Sequence, residues 1–219
     1  TSRPMKQRAF DTVPVQNLNP IAPEACAGIV ESILPGEEIY PEAIRYILDR
    51  TDGIPLYAEE MTSMLVEQNY LVKEDGQYQL IANLDEQSIP NTLQDLLNAR
   101  LDRLGPARET AQMAAAIGRE FDYQLLAQIS DKHMAGINED LELLQKADII
   151  GEPASGEKKY LFRHALISDA AYDGMTRSFR RGVHLRIAGA LEDSFADVVN
   201  ESPSLLANHL FEGASYDKA

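Results

Sequence analysis

Apolar positions recur at helical spacing along most of this chain. Ala25, Ile29, Val30 and Ile33 form one stripe between Pro23 and Leu34, and Pro35-Gly36 ends it. Pro41 stands at a first helical turn, Ala43, Ile44, Ile47 and Leu48 make the buried stripe behind it, and Asp52-Gly53 stops the helix. Pro55 starts a third helix that runs through Glu67, with Leu56, Met61, Met64 and Leu65 inward. Between residues 70 and 81 the period changes. Tyr70, Val72, Tyr78 and Leu80 flank Glu74-Asp75-Gly76, a hairpin signature.

A long helix is predicted from Leu93 to Leu104, its face built from Leu93, Leu96, Leu97, Leu101 and Leu104. Gly105-Pro106 breaks it and restarts a helix from Ala107 to Ile117. Further helices are predicted over 122–129 and 136–147, followed by strands at 148–151 and 158–162 joined through Pro153-Ala154-Ser155-Gly156. Three helices and then a hairpin is a winged-helix order. Helices over 164–173 and 177–195 follow, and a last one from near Pro203 to about Gly213. Residues 1–20 are rich in proline, lack a helical period and read as extended. The fold expected is mainly α, with a small helical lid, a winged helix with a short hairpin wing, and trailing helices. The leucine stripe of the helix at 93–104 is expected to fill the seam between lid and winged helix.

Composition narrows the function. The 219 residues include 35 acidic and 20 basic ones, for a net charge of −15. Such a surface repels nucleic-acid backbones and anionic lipid, so neither nucleic acid nor membrane is expected as a partner. No apolar run approaches the roughly 20 residues of a membrane helix, and the start of the chain has no signal-peptide pattern. Cys26 is the one cysteine, which rules out an intrachain disulfide and a thiolate zinc site and suits a reducing cytosol. The first residue is Thr1 rather than methionine, which predicts a piece of a longer protein.

A search for catalytic chemistry returns nothing. No lysine is followed by serine or threonine, so the chain has no P-loop, and no G-x-G-x-x-G, G-x-S-x-G, H-E-x-x-H or calcium-loop pattern occurs. The four histidines, His133, His164, His184 and His209, are too far apart to pair along one helix face, and a solvated or core role is favoured over a metal site. Glu59 and Glu60 are adjacent, so on a helix they diverge by about 100°, a geometry suited to a solvated face and not to an acid/base dyad. No metal is expected, and no catalytic residue.

Several local sequences resemble the regulatory half of the signal-transduction ATPases with numerous domains, the STAND class of AAA+-like ATPases. Thr1-Ser2-Arg3-Pro4 looks like the end of a sensor strand, and Gly53-Ile54-Pro55 like the G-x-P motif of the helical lid. Ile89 to Leu97 and Arg100 to Leu104 resemble the linker into the winged helix. Ala114 to Phe121 look like its first helix and turn. Arg163-His164-Ala165-Leu166 falls where relatives carry Met-His-Asp, with Ala165 in place of the acid, and Ser204 to His209 resemble the start of helical repeats. The branch it resembles most is fused to nucleotide cyclases, kinases or transcription regulators.

The resemblance implies four segments: 1–20 as the end of the nucleotide-binding core, 21–88 as lid, 89–163 as winged helix and 164–219 as C-terminal helices. It also implies a contact role toward nucleotide for Arg3, Gly53, Pro55 and His164. Arg3 would reach the terminal phosphate, Pro55 would pack on adenine, and His164 would touch the β-phosphate of ADP. ATP or ADP would then bind the intact parent, in the cytoplasm, and not the chain alone. Its partners would be other domains of the same polypeptide and other proteins. The same residues have structural readings: Gly53 and Pro55 as a helix cap and a helix-starting proline, His164 as a hydrogen-bonded structural histidine, and Arg3 as a terminal arginine. Arg177, Arg180, Arg181 and Arg186 form a basic cluster suited to a solvated or salt-bridged interdomain face. Two rival functions stay open: a winged-helix DNA-binding regulator, and a protein-interaction scaffold with no nucleotide role.

Overall fold

The computed structural model describes residues 20–34, 38–74, 76–81, 84–85, 88–151 and 159–214. The fold is mainly α, with two small three-stranded sheets, and the chain divides into two units, Thr1–Ile89 and Pro90–Ala219. Arg3 and the turn at residues 153–156 lie outside the described residues.

In the first unit three helices, α1 (Pro23–Ile33), α2 (Pro41–Thr51) and α3 (Pro55–Glu67), each begin on a proline. At that position the missing N–H costs nothing and φ is already helical. Helices α1 and α2 both pack on α3. Cys26, Val30, Ala43, Ile47, Met61, Met64 and Leu65 close the core, all but removed from solvent. The expected hairpin is present as β2 (Leu71–Glu74) and β3 (Gln77–Leu80). A two-residue strand that the hydrophobic pattern does not announce, β1 (Glu38–Ile39), pairs in parallel with β3, so the sheet order is β1-β3-β2.

The second unit opens with α4 (Leu93–Asp102), whose N-cap Thr92 accepts a hydrogen bond from Asp95 N and donates one to the Asp95 carboxylate. The cap satisfies one of the N–H donors that the helix cannot satisfy itself. Gly105, at φ +55°, turns the chain into α5 (Ala107–Ile117). Strand β4 (Glu120–Asp122), α6 (Tyr123–Ile129), α7 (Met134–Lys146), β5 (Ile150–Gly151) and β6 (Lys159–Phe162) complete the winged helix. Its antiparallel sheet has the order β4-β6-β5. Residues 118–121 read from sequence as a helix end and turn, yet β4 forms because Phe121 gains a stacked partner. Its ring lies 5.6 Å from Tyr160 and 5.8 Å from Phe162.

Helices α8 (Ala165–Asp173), α9 (Arg177–Ser194), α10 (Ala196–Glu201) and α11 (Pro203–Ala214) follow. They do not form a separate body: Ile167, Ala170, Val183, Ile187 and Leu191 share one hydrophobic core with Ala111, Ala114, Phe121 and Leu126. The leucine stripe of α4 is buried. Leu97 and Leu101 belong to that same core, with α4 packed on α8, and Leu96 is buried as well. Polar ties fix the register. Lys132 Nζ donates to Asp140 Oδ2 (2.6 Å), Pro106 O (2.8 Å) and Thr110 Oγ1 (3.3 Å), and Arg186 reaches Asp131 at 2.7 Å. Along α11, Gly213 lies so near Leu185 of α9 that an added Cβ would come within 2.9 Å of the leucine side chain.

Truncating Leu97 to alanine removes a fully buried side chain from this core and should cost about 2–5 kcal/mol. A thermal or urea melt of the purified variant measures it, and an unchanged midpoint would mean that the leucine stripe is solvent-facing.

Candidate functional site

The turn between α2 and α3 is tightly constrained backbone. Helix α2 ends on Asp52 in the left-handed region (φ 50°, ψ 31°), and Gly53 follows at φ +67°. Gly53 O accepts a hydrogen bond from Ile21 N at 3.0 Å. A Cβ at position 53 would sit 2.7 Å from Ile21 O and 3.0 Å from Pro20 Cβ, so conformation and space both demand glycine. Ile54 (41% exposed) and Pro55 then project to the surface as α3 begins. Beside the turn is a cavity of about 600 Å³ whose wall includes Gly53, Ile21, Ile44 and Leu48, with Arg45, Asp49 and Asp52 as its charged members. Pro55 is not on that wall.

In the second unit, His164 is the N-cap residue of α8 and follows β6 after one intervening residue, Arg163. Its carbonyl accepts from Ile167 N (3.1 Å) and Ser168 N (3.4 Å). Its half-buried ring makes no capping bond, so His164 supplies no side-chain acceptor to the positive end of α8. Arg163, the preceding residue, pairs with Asp148 (3.1 Å) and packs over Gly151, which fixes the chain where it enters the helix. Gly53 and Pro55 therefore stand in one unit and His164 in the other.

Glu59 and Glu60 differ from expectation: Glu60 is buried. It falls three residues after Tyr57 and four before Met64, so helical spacing turns it to the same inward face. The basic cluster also divides. Arg186 pairs with Asp131, whereas Arg177, Arg180 and Arg181 border a cavity at the start of α9.

The sequence does not reveal the most perturbed titratable group among the described residues, His209. His184 of α9 and His209 of α11, each 3% exposed, meet through their Nδ1 atoms at 2.8 Å. Tyr172 Oη lies 2.9 Å from His184 Nε2. A neutral chain is satisfied in one direction at a time: Tyr172 O–H donates to His184 Nε2 while His184 Nδ1–H donates to His209 Nδ1, or every donor reverses. Burial, reinforced by the nearby Arg180 guanidinium, lowers the pKa of His184. Burial and the His184 ring push His209 down to about 4. Burial first, then the Glu212 carboxylate, raises that of Tyr172. The one available signal was spacing: His184 shares its helix face with Ala188 and Leu191, a buried stripe. Its partner lies 25 residues away and is reached only when α11 docks. Among the described residues no group of three or more His, Cys, Asp or Glu side chains could hold a metal ion.

Two predictions follow from this geometry. Gly53→Ala should destabilise the protein by about 1–3 kcal/mol, the range for backbone held in a strained region; urea denaturation measures it, and a neutral result would show that the turn relaxes freely. The histidine pair sets the second. The unfolded histidines protonate near their ordinary pKa of about 6.5, the folded ones lower, so acid favours the unfolded state. The stability contributed is complete above about pH 6.5 and is lost as pH falls toward the folded value of about 4. Calorimetric melting of wild type and His209→Gln between neutral pH and the folded pKa should show the steeper loss in wild type. Parallel curves would show that the pair carries no such linkage.

Among known proteins, the chain is 28% identical over 162 residues to an uncharacterized protein of Rhizobium meliloti (strain 1021). That match covers 72% of this chain and 15% of the relative, so the chain spans a small part of the longer protein. No protein-family profile matches the chain, and no solved structure matches it. Among the described residues no helix is long and apolar enough to cross a membrane.

Proposed function

We propose that this chain is the non-catalytic lid and winged-helix part of a STAND-class signalling ATPase, and that it couples nucleotide state to an effector domain elsewhere in a longer polypeptide. The observation that carries the reading is the run from winged helix to His164: the last wing strand, β6, leads through Arg163 into a helix whose N-cap side chain makes no capping bond. A phosphate is the natural acceptor for such a terminus. The G-x-P turn supports the same reading from the first unit. Gly53 is required there by its backbone, Pro55 is exposed, and the adjoining cavity wall is largely apolar, which fits the face of a purine.

In the intact ATPase, ADP held by Gly53, Pro55 and His164 favours a closed arrangement of core, lid and winged helix, with Arg3 directed at the terminal phosphate when ATP is bound. A nucleotide shifts such an equilibrium only through contacts that differ between its two states. His164 supplies such a difference by adding one imidazole donor to the backbone N–H groups of α8. The chain itself performs no chemistry in this scheme. It acts in the cytoplasm, through other domains of its own polypeptide and through protein partners.

A specific observation weighs against the DNA-binding alternative. Helix α7 holds the position of a recognition helix, and its exposed residues include Glu139 and Glu142 against Lys146, a face that repels phosphate. A mobility-shift assay with mixed duplexes at low salt should show no retained complex; retention that is lost on replacing Arg180 and Arg181 would favour the DNA-binding reading.

The deciding measurement is nucleotide affinity in a protein that joins this chain to its nucleotide-binding core. His164→Ala should weaken ADP by about ten- to a hundredfold, as loss of a charge-assisted hydrogen bond does, and ATP by much less. Equal weakening of both nucleotides, or of neither, would leave His164 as a structural residue and favour a nucleotide-independent scaffold.

A further inference from the structure

In a protein of net charge −15, three arginines within five residues border one cavity. It measures about 580 Å³ and lies at the first turns of α9, with Arg177, Ser178, Arg180 and Arg181 on one wall and Glu212 of α11 on the other. Each arginine is placed differently. Arg180 is held from behind: its guanidinium covers the Tyr172 ring at 4.5 Å, and its Nη2 donates to Tyr172 O (3.2 Å) and Asp173 O (3.4 Å), the carbonyls that end α8. Its Nε is buried with no hydrogen-bond partner, an unfilled donor on a side chain fixed in position. Arg181 is anchored on α11 through Nε to Gly213 O at 2.8 Å. Arg177 is exposed, and neither it nor Arg180 has an ion-pair partner among the described residues.

Guanidinium groups brought this close repel one another, and nearby carboxylates are the usual relief. Arg108, Arg163 and Arg186 each have one. Among the described residues the wall offers a single acid, Glu212, and neither Arg177 nor Arg180 is paired with it. The site also sits at the positive end of an 18-residue helix whose cap, Thr176, accepts from Phe179 N. Dipole and arginines act in the same direction. Planar guanidinium donors match tetrahedral oxyanions bidentately. Glu212 adds a selectivity element, because it presents an acceptor. A phosphate monoester with its second pKa near 6 keeps a P–OH donor on part of its population, whereas sulfate keeps none.

We propose that this cavity is a binding site for a phosphate monoester, with Arg177, Arg180 and Arg181 as the cationic wall, Ser178 as a hydroxyl donor and Glu212 as the acceptor for the remaining P–OH. The site is independent of the nucleotide switch and is formed within the second unit alone. The ester is that of a small phosphorylated metabolite or of a phosphorylated side chain on a protein partner. The two share the group bound and differ in what surrounds it.

The experiment is titration of the full chain, at low ionic strength and near pH 6.5, with inorganic phosphate as the probe, followed by calorimetry or amide chemical shifts. Saturable binding is expected, weakened roughly tenfold or more in Arg177→Gln, with no loss of melting temperature because Arg177 is exposed. Arg186→Gln removes the same unit of charge from the same helix but from outside the cavity, and should bind phosphate as wild type does. Sulfate should bind more weakly than phosphate, and Glu212→Gln should narrow that difference. Adenosine monophosphate and a phosphoserine peptide form the two remaining arms, and the tighter of them identifies the source of the ester. Absence of saturation, equal losses in Arg177→Gln and Arg186→Gln, or sulfate binding as tightly as phosphate would each overturn the proposal.

Discussion

The second unit depends on how closely other helices approach α5. Its sequence between Ala107 and Ile117 is mostly small residues, and Ala107, Ala111 and Ala114 are fully buried. A helix so thin on its inner surface lets α7, α8 and α9 come near its axis together, and close packing of many small contacts replaces a few large side chains. The Lys132–Asp140 pair, with its acid buried and its amine half-buried, makes sense in that setting. A crowd of methyl groups packs almost equally well in several registers, whereas a charge taken out of water must keep its partner. Lys132 meets Pro106, Thr110 and Asp140 together, which specifies one arrangement of α5 against α7.

Much of this architecture could be read from the chain. Prolines at three helix starts, the left-handed stop at Asp52-Gly53 and the hairpin around Gly76 are local signals, and each produced the element it foretold. Strands β1 and β4 could not be read this way. Two or three residues carry no period, and both strands exist only because a partner strand supplies the hydrogen bonds. The leucine stripe of α4 was legible as a stripe, and its Leu96, Leu97 and Leu101 are buried.

The candidate sites divide along the same line. Gly53 was visible because backbone geometry restricts residue type, and its steric reason, the carbonyl of Ile21, appeared only in three dimensions. His164 was visible by its place between a strand and a helix. The His184–His209 pair and the arginine cavity were not, because each joins α9 to α11 across a span the chain must fold back to close. Glu60 shows the converse error: two adjacent acids suggested a wet face, while the helical period had already assigned one of them to the interior.

The close approach of Gly213 to Leu185 limits how α11 can move. At this point on α9 a leucine side chain occupies the gap that a missing Cβ leaves, with Arg181 fastened to the same glycine's carbonyl. Sliding α11 by one helical turn, about 5.4 Å, would bring His209 or Leu210 to the place where only a hydrogen atom fits. The contact therefore acts as a register mark, favouring the observed seating of α11 on α9 over its neighbours one turn away.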